Sequence, residues 1–189
     1  MITPLSQEGL DMVKIRYQAA ENVDAAAIAT VHLASWRDAY RSILDPTFLA
    51  GPIEEDRHAL WSERLSNPPP NLLVEIARGS NRRLVGFIAA YRDFDVRWGS
   101  LVDNLHVLPE LRGRKIGEHL LRSTARQLVT QGSCGGLHLW VFEENHNGLR
   151  FYQRLGGRVV ERDTSRIPAA SGKPILRISW PSLATLVGR

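Results

Sequence analysis

The stretch LRGRKIGEHLL, Leu111 to Leu121, starts a helix with the wrong charge. A helix N-terminus carries partial positive charge from its unpaired amides and prefers Asp or Glu in the first turn. Here Arg112, Arg114 and Lys115 stand instead, interleaved with Gly113 and Gly117. Each cation at that end costs about 0.3–1 kcal/mol. A bound polyanion reverses the sign, because glycines without a Cβ let it approach the backbone and the free amides and cations converge on it. The stretch therefore predicts a diphosphate site. It is neither of two common nucleotide loops, since it contains neither G-x-x-x-x-G-K-[ST] nor G-x-G-x-x-G.

The flanks give this turn its setting. Leu101–Val107 (LVDNLHV) reads as a strand stopped by Pro109. Ile116, Leu120, Leu121, Ala125 and Leu128 have helical spacing and carry a helix to about Thr130. Leu137–Glu143 (LHLWVFE) is the next strand, so 101–143 forms a strand–helix–strand unit with parallel strands. Upstream, Val13–Ala19 predicts a first strand, Asn22–Ser42 and Glu54–Leu65 two helices, and LLVEIAR and LVGFIAAYR a hairpin about GSNRR. Pro46 interrupts the first helix, and Asn67–Asn71 (NPPPN) is a rigid connector. Downstream, NHNGLRFYQRLGG is a short helix ended by Gly156 and Gly157, and RVVER and ILRISW are closing strands about the loop Ser165–Lys173. The order predicts an α/β fold: a mixed, largely antiparallel central sheet of about seven strands flanked by helices. One domain is expected over 13–189, after a short extension at 1–12.

Bulk properties bound the function. The 189 residues, 43% hydrophobic and 23% charged, suit one soluble globular domain. No apolar run approaches the roughly 20 residues that span a bilayer, and the N-terminus lacks a signal-peptide layout. The single cysteine, Cys134, excludes an internal disulfide and suits a reducing cytoplasm. The six histidines form no metal-ligand spacing. Net charge is +4, spread along the chain mostly as Arg, with no RNP, zinc or helix-turn-helix signature for nucleic acid. Neither a nucleic-acid nor a membrane partner is expected, and no metal.

A second stretch, VFEENHNGLRFYQRLGGRV (Val141–Val159), joins the first to give a resemblance to the GNAT superfamily of acyl-CoA-dependent N-acyltransferases. That family carries Q/R-x-x-G-x-G/A at its central helix; Arg112 and Gly117 match, and Lys115 stands where glycine is usual. It also carries N-x-x-A-x-x-F-Y-x-x-x-G-F; Asn145, Phe151, Tyr152 and Gly156 match, while Gly148 replaces the alanine and Gly157 the aromatic. VHLASWRDAY resembles the first helix of many bacterial members.

The resemblance implies acetyl transfer from acetyl-CoA to a primary amine by direct attack. The amides of Arg112, Gly113, Arg114, Lys115, Ile116 and Gly117 would hold the diphosphate, and Lys115, given helical geometry that tolerates its Cβ, would add an ammonium contact. The backbone of Leu105, His106 and Val107 would pair with the pantetheine arm as an added strand. Asn145 matches the pantetheine-contacting position and reads equally as a helix N-cap. Tyr152 matches the general acid that protonates the departing sulfur. Many members place a general-base Glu where this chain has Leu101; Asp103, two residues on and on the same strand face, is the candidate base, with Glu143 and Glu144 at the end of the fifth strand, a water chain or an already neutral amine as alternatives, and His106 is expected to point to the other face. Trp36 and Tyr40, four apart on one helix face, line the acceptor pocket or belong to the core. The charge run with Asp38, Glu54, Glu55 and Asp56 either attracts a cationic amine or is a solvated face. The expected acceptor is a small-molecule or peptide amine, and the expected assembly a monomer or homodimer. The missing Glu at Leu101 and the lysine at 115 leave a second reading, a catalytically weak acyl-CoA-binding sensor or scaffold.

Overall fold

A computed structural model describes residues 14–170 and 172–188; the expected extension at 1–12, and Val13 of the first predicted strand, lie outside them. Strand β1 (Arg16–Ala19) leads through one 3-10 turn (Asn22–Asp24) into α1 (Ala25–Ala39), followed by α2 (Pro46–Ala50) and α3 (Ile53–Ser66). Strands β2 (Leu72–Arg78), β3 (Leu84–Asp95) and β4 (Gly99–Val107) form a meander, and a 3-10 turn at Pro109–Leu111 precedes α4 (Ile116–Thr130). Then come β5 (Leu137–Phe142), α5 (His146–Arg154), β6 (Arg158–Thr164), β7 (Pro174–Trp180) and α6 (Ala184–Val187). The seven strands form one sheet in the order β1-β2-β3-β4-β5-β7-β6, and only β4 with β5 is parallel.

Two elements escape the periodicity reading. Pro46 does not merely interrupt a helix but occupies the first turn of α2, where its missing amide costs nothing, and Asp45 caps that turn by accepting from the Thr47 amide. The four residues of α6 are too few to show a period. The acidic run Glu54–Asp56 occupies the first turn of α3, where carboxylates suit the helix dipole.

The sheet separates two packed layers. Alternation along β2 sends Ile76 toward α1 and α3, with Phe87 beside it on β3, and sends Glu75 toward α4. The main core joins Ile28, Trp61, Ile76 and Phe87 on one side with Ile116, Leu120, Leu121 and Leu128 on the other. A second core of Leu33, Trp36, Ile43, Leu44, Leu49, Ile53, Phe142 and Ala170 sits under the α1–α2 turn. That turn is tied to the β6–β7 connection by the Asp45 amide, which donates to the Ala169 carbonyl at 2.9 Å.

Two irregularities in β4 shape the site. Ala89 pairs with Asn104 but Ala90 with Val102, so Asp103 is the extra residue of a β-bulge. On its other edge β4 pairs with β5 only through Ser100↔Leu137 and Leu101↔His138, after which the two strands part.

Candidate active site

The parting of β4 and β5 leaves Leu105, His106 and Val107 paired to β3 alone, opposite Ile88, Phe87 and Gly86. Their other edge is open to an extended ligand that supplies its own donors and acceptors. The chain then runs directly into the Arg112–Gly117 turn. Lys115 is the N-cap of α4 and makes no side-chain cap bond. Among the described residues, no amide from Gly113 to Gly117 donates to a protein acceptor. These donors, with Arg114 and Lys115 in no ion pair among the described residues, are what a diphosphate neutralises.

Lys115 departs from the expected helical geometry. Its backbone is left-handed, φ 61° and ψ 9°, as is Gly113 at φ 80°. A lysine there carries strain that glycine avoids, about 1–2 kcal/mol. Arg112 bends away from the turn, forms an ion pair with Asp38 on α1 and donates from Nη2 to Ser35 Oγ at 3.4 Å.

The bulge changes which way β4 side chains face. Asp103 meets Arg64 of α3, Nη1 to Oδ2 2.7 Å. His106, expected on the opposite face, lies on the same one: its Nδ1 is 3.0 Å from Ser35 Oγ of α1, and its ring stacks 4.5 Å from His32. Because Asp103 is itself the inserted residue, its odd separation from His106 no longer places the two on opposite faces. Ser35 accepts from Arg112, since a guanidinium only donates; with a second lone pair and its own proton it either accepts from or donates to His106 Nδ1, according to the imidazole tautomer. The Trp61 indole, which only donates, bonds His32 Nδ1 at 2.9 Å and leaves His32 Nε2 protonated, buried and without a partner among the described residues. Burial, then Arg112 and Arg57, pushes His106 down to about 3. Burial, then His106, Arg57 and Arg64, holds His32 well below its ordinary value.

The aromatic residues divide. Trp36 is buried in the second core with the Arg57 guanidinium 4.6 Å above its ring. Tyr40 is half-buried against Trp36 and Phe142, and burial lifts its phenol to about 12. Tyr152 packs edge-on to Trp180 at 6.1 Å; burial, then Tyr40, raises its phenol above the usual range. Asn145 is an N-cap, accepting from the Gly148 amide at 3.0 Å. A Cβ at Gly148 would stand 2.7 Å from Asn145 Nδ2, so the motif alanine would require the Asn145 amide to shift. The other motif departure follows from packing: a Cβ at Gly157 would meet Ile178 at 2.5 Å and Trp180 at 2.8 Å.

Ser35, His32, Arg57 and Arg64 were not singled out by the sequence reading. The only local signal is the helical spacing of His32, Ser35 and Trp36, which any half-buried helix shows.

An open strand edge running into an uncapped, cation-rich helix start defines a protein built to hold an acyl-CoA. The chain matches the Acetyltransferase (GNAT) family over residues 34–157 and belongs to that family. It is an acetyl-CoA-dependent N-acetyltransferase. It is 25% identical over 177 residues to the uncharacterized N-acetyltransferase YuaI of Bacillus subtilis (strain 168), covering 93% of this chain and 96% of that one. Its fold is shared with the PaiA N-acetyltransferase of Thermoplasma acidophilum, solved in complex with coenzyme A, at TM-score 0.71 and 20% identity over 88% of this chain and 99% of that one. A GCN5-related N-acetyltransferase of Rhodopseudomonas palustris shares it too, at TM-score 0.69 and 19% identity over 92% and 99%. No helix among the described residues is long and apolar enough to cross a membrane.

Proposed function

We propose that the chain transfers an acetyl group to a primary amine by direct attack, with Tyr152 as general acid, and that the acceptor is a small molecule or a peptide terminus. The observation that carries this reading is the free β4 edge at Leu105–Val107, contiguous with the uncapped start of α4. Acetyl-CoA supplies an acetyl group activated as a thioester. The turn amides of Gly113–Gly117, with the ammonium of Lys115, hold its diphosphate, while the Arg112 amide, expected among them, is bonded instead to the Pro109 carbonyl at 3.3 Å; the β4 edge orients the arm. In the transfer a C–N bond forms, the C–S bond breaks, the amine loses a proton and the sulfur gains one. Tyr152 stays protonated at neutral pH, which suits a donor to the leaving sulfur. Asn145 keeps its Nδ2 donors for the arm while its Oδ1 caps α5.

Asp103 is the residue assigned to the amine proton. Its support is its place at the β4 bulge, next to the free edge at Leu105–Val107; its cost is that protonation breaks the ion pair with Arg64. A cytoplasmic location is supported by the exposed free thiol of Cys134, which a reducing compartment keeps free. The test is release of coenzyme thiol from acetyl-CoA in the presence of an amine panel. Amine-dependent release supports transfer. Stoichiometric coenzyme binding without release leaves only the sensor reading.

A further inference from the structure

At the outer edge of the sheet a cavity of about 510 Å³ opens beside the β2–β3 turn, lined by Arg16, Gln18, Arg78, Gly79, Ser80 and Arg82. Half of these residues are arginine, and none carries an apolar side chain. Strand register brings two of the cations together, because Arg16 of β1 stands directly opposite Arg78 of β2. Side chains opposed in this way share a face, and like charges there weaken the pairing.

One carboxylate reaches the cluster, and it is already committed. Asp24 pairs with Arg78, is 4% exposed, and accepts from the Glu21 amide at 2.9 Å with its other oxygen. Arg78 also donates from Nη1 to the Arg82 carbonyl at 2.8 Å, so its guanidinium is held in place. Arg16 and Arg82 make no ion pair among the described residues. Arg82 is held left-handed at φ 63°, a conformation that glycine adopts at less cost, so the turn keeps a cation where a smaller neutral residue would be more stable. Within the turn the Gly79 amide bonds the Arg83 carbonyl and the Arg82 amide the Gly79 carbonyl, both at 2.9 Å. The Ser80 amide and hydroxyl donate to no acceptor among the described residues.

This set of donors fits a tetrahedral oxyanion. A carboxylate offers two oxygens in one plane, whereas a phosphate offers three in different directions, as guanidiniums from two strands and a turn require. The cavity is larger than one phosphate group. Gln18 and Ser80 suit a hydroxylated body, and no aromatic side chain is there to stack on a nucleobase. The place is separate from the diphosphate turn. β1 lies three strand spacings from β4, about 14 Å. Arg16, Gln18 and Arg78 occupy the face that carries the start of α1, and α4 covers the other.

We propose that this cavity is a second anion site, binding a phosphate group, free or as the monoester of a small hydroxylated molecule such as a sugar, through Arg16, Arg78, Arg82 and Ser80. It lies outside the acetyl-transfer site and does not depend on that reading.

The experiment is calorimetry on the full chain with coenzyme A in excess, so that the diphosphate turn is filled, against inorganic phosphate, glucose 6-phosphate and glucose. A phosphate ligand should bind saturably at one site and glucose should not; the tighter of the two phosphate ligands shows whether the free ion or the ester is preferred. Arg16→Gln and Arg82→Gly should each weaken that binding about tenfold, the scale of one charge-assisted hydrogen bond. Arg78 is left intact because its pair with Asp24 anchors the start of α1. Arg83→Gln is the control, since Arg83 pairs with Glu110 and does not line the cavity; it should bind as the parent chain does. The variants assign the heat to this cavity whether or not coenzyme A is bound. No saturable binding of either phosphate ligand at millimolar concentration, or equal affinity in Arg16→Gln, Arg82→Gly and the parent chain, overturns the proposal.

Discussion

Ser35 Oγ on α1 lies 3.0 Å from His106 Nδ1 on β4, 71 residues further along the chain. This contact ties the N-terminal helix to the strand that orients the acyl donor. The Asp103 bulge is what lets His106 share the α1 side of β4 with Asp103. Burial, then Arg112 and Arg57, keeps that imidazole neutral.

Acid lability follows from that neutrality. His106 is depressed to about 3, His138 to about 4 by burial and then Arg177, and His32 also lies well below its ordinary value. Unfolding releases each to about 6.5, so below that pH the unfolded chain binds more protons. Stability is complete above pH 6.5 and falls as the pH drops toward 4. The loss is on the order of 1 kcal/mol per pH unit for each imidazole that unfolding must charge. Urea unfolding at pH 7.5, 6 and 5 checks this; a midpoint that does not move contradicts the buried neutral histidines.

Tyr152→Phe removes a proton donor and leaves the ring packing against Trp180 in place. Turnover should drop about 10- to 100-fold with coenzyme affinity unchanged. Steady-state rates beside calorimetry separate the two, and a fully active variant refutes the acid role.

Lys115→Gly tests the strained turn from both sides. Relief of a left-handed lysine at φ 61° should raise stability by about 1 kcal/mol. Loss of an ammonium beside the diphosphate should weaken coenzyme A several-fold, and more at low salt. Thermal unfolding and calorimetry at two ionic strengths read both. A variant with unchanged stability and affinity means Lys115 is an ordinary surface residue.

Much of this was legible in the sequence because the relevant signals are local. Leu72–Arg78 is a strand within the residues its alternation marks, and the cation-rich turn before Ile116 is a helix start with unpaired amides. What stayed hidden is non-local. No periodicity in LVDNLHV reveals that Asp103 is a bulge, because the bulge is defined by β3, and so His106 was expected on the wrong face. Lys115 was expected to be helical because its left-handed backbone is imposed by a turn that glycine usually fills. Arg57 and Arg64 read as helix surface until Trp36 and Trp61 were seen beneath them.

The central claim is that the turn after β4 is a diphosphate site completed by coenzyme A. Isothermal calorimetry of the purified chain against coenzyme A, with 3′-dephospho-coenzyme A and free pantetheine as controls, tests it most directly. The account predicts one site per chain, heat retained when the 3′-phosphate is removed, and heat largely lost when the diphosphate is missing. Equal heats for pantetheine and coenzyme A, or none for either at millimolar ligand, would contradict it.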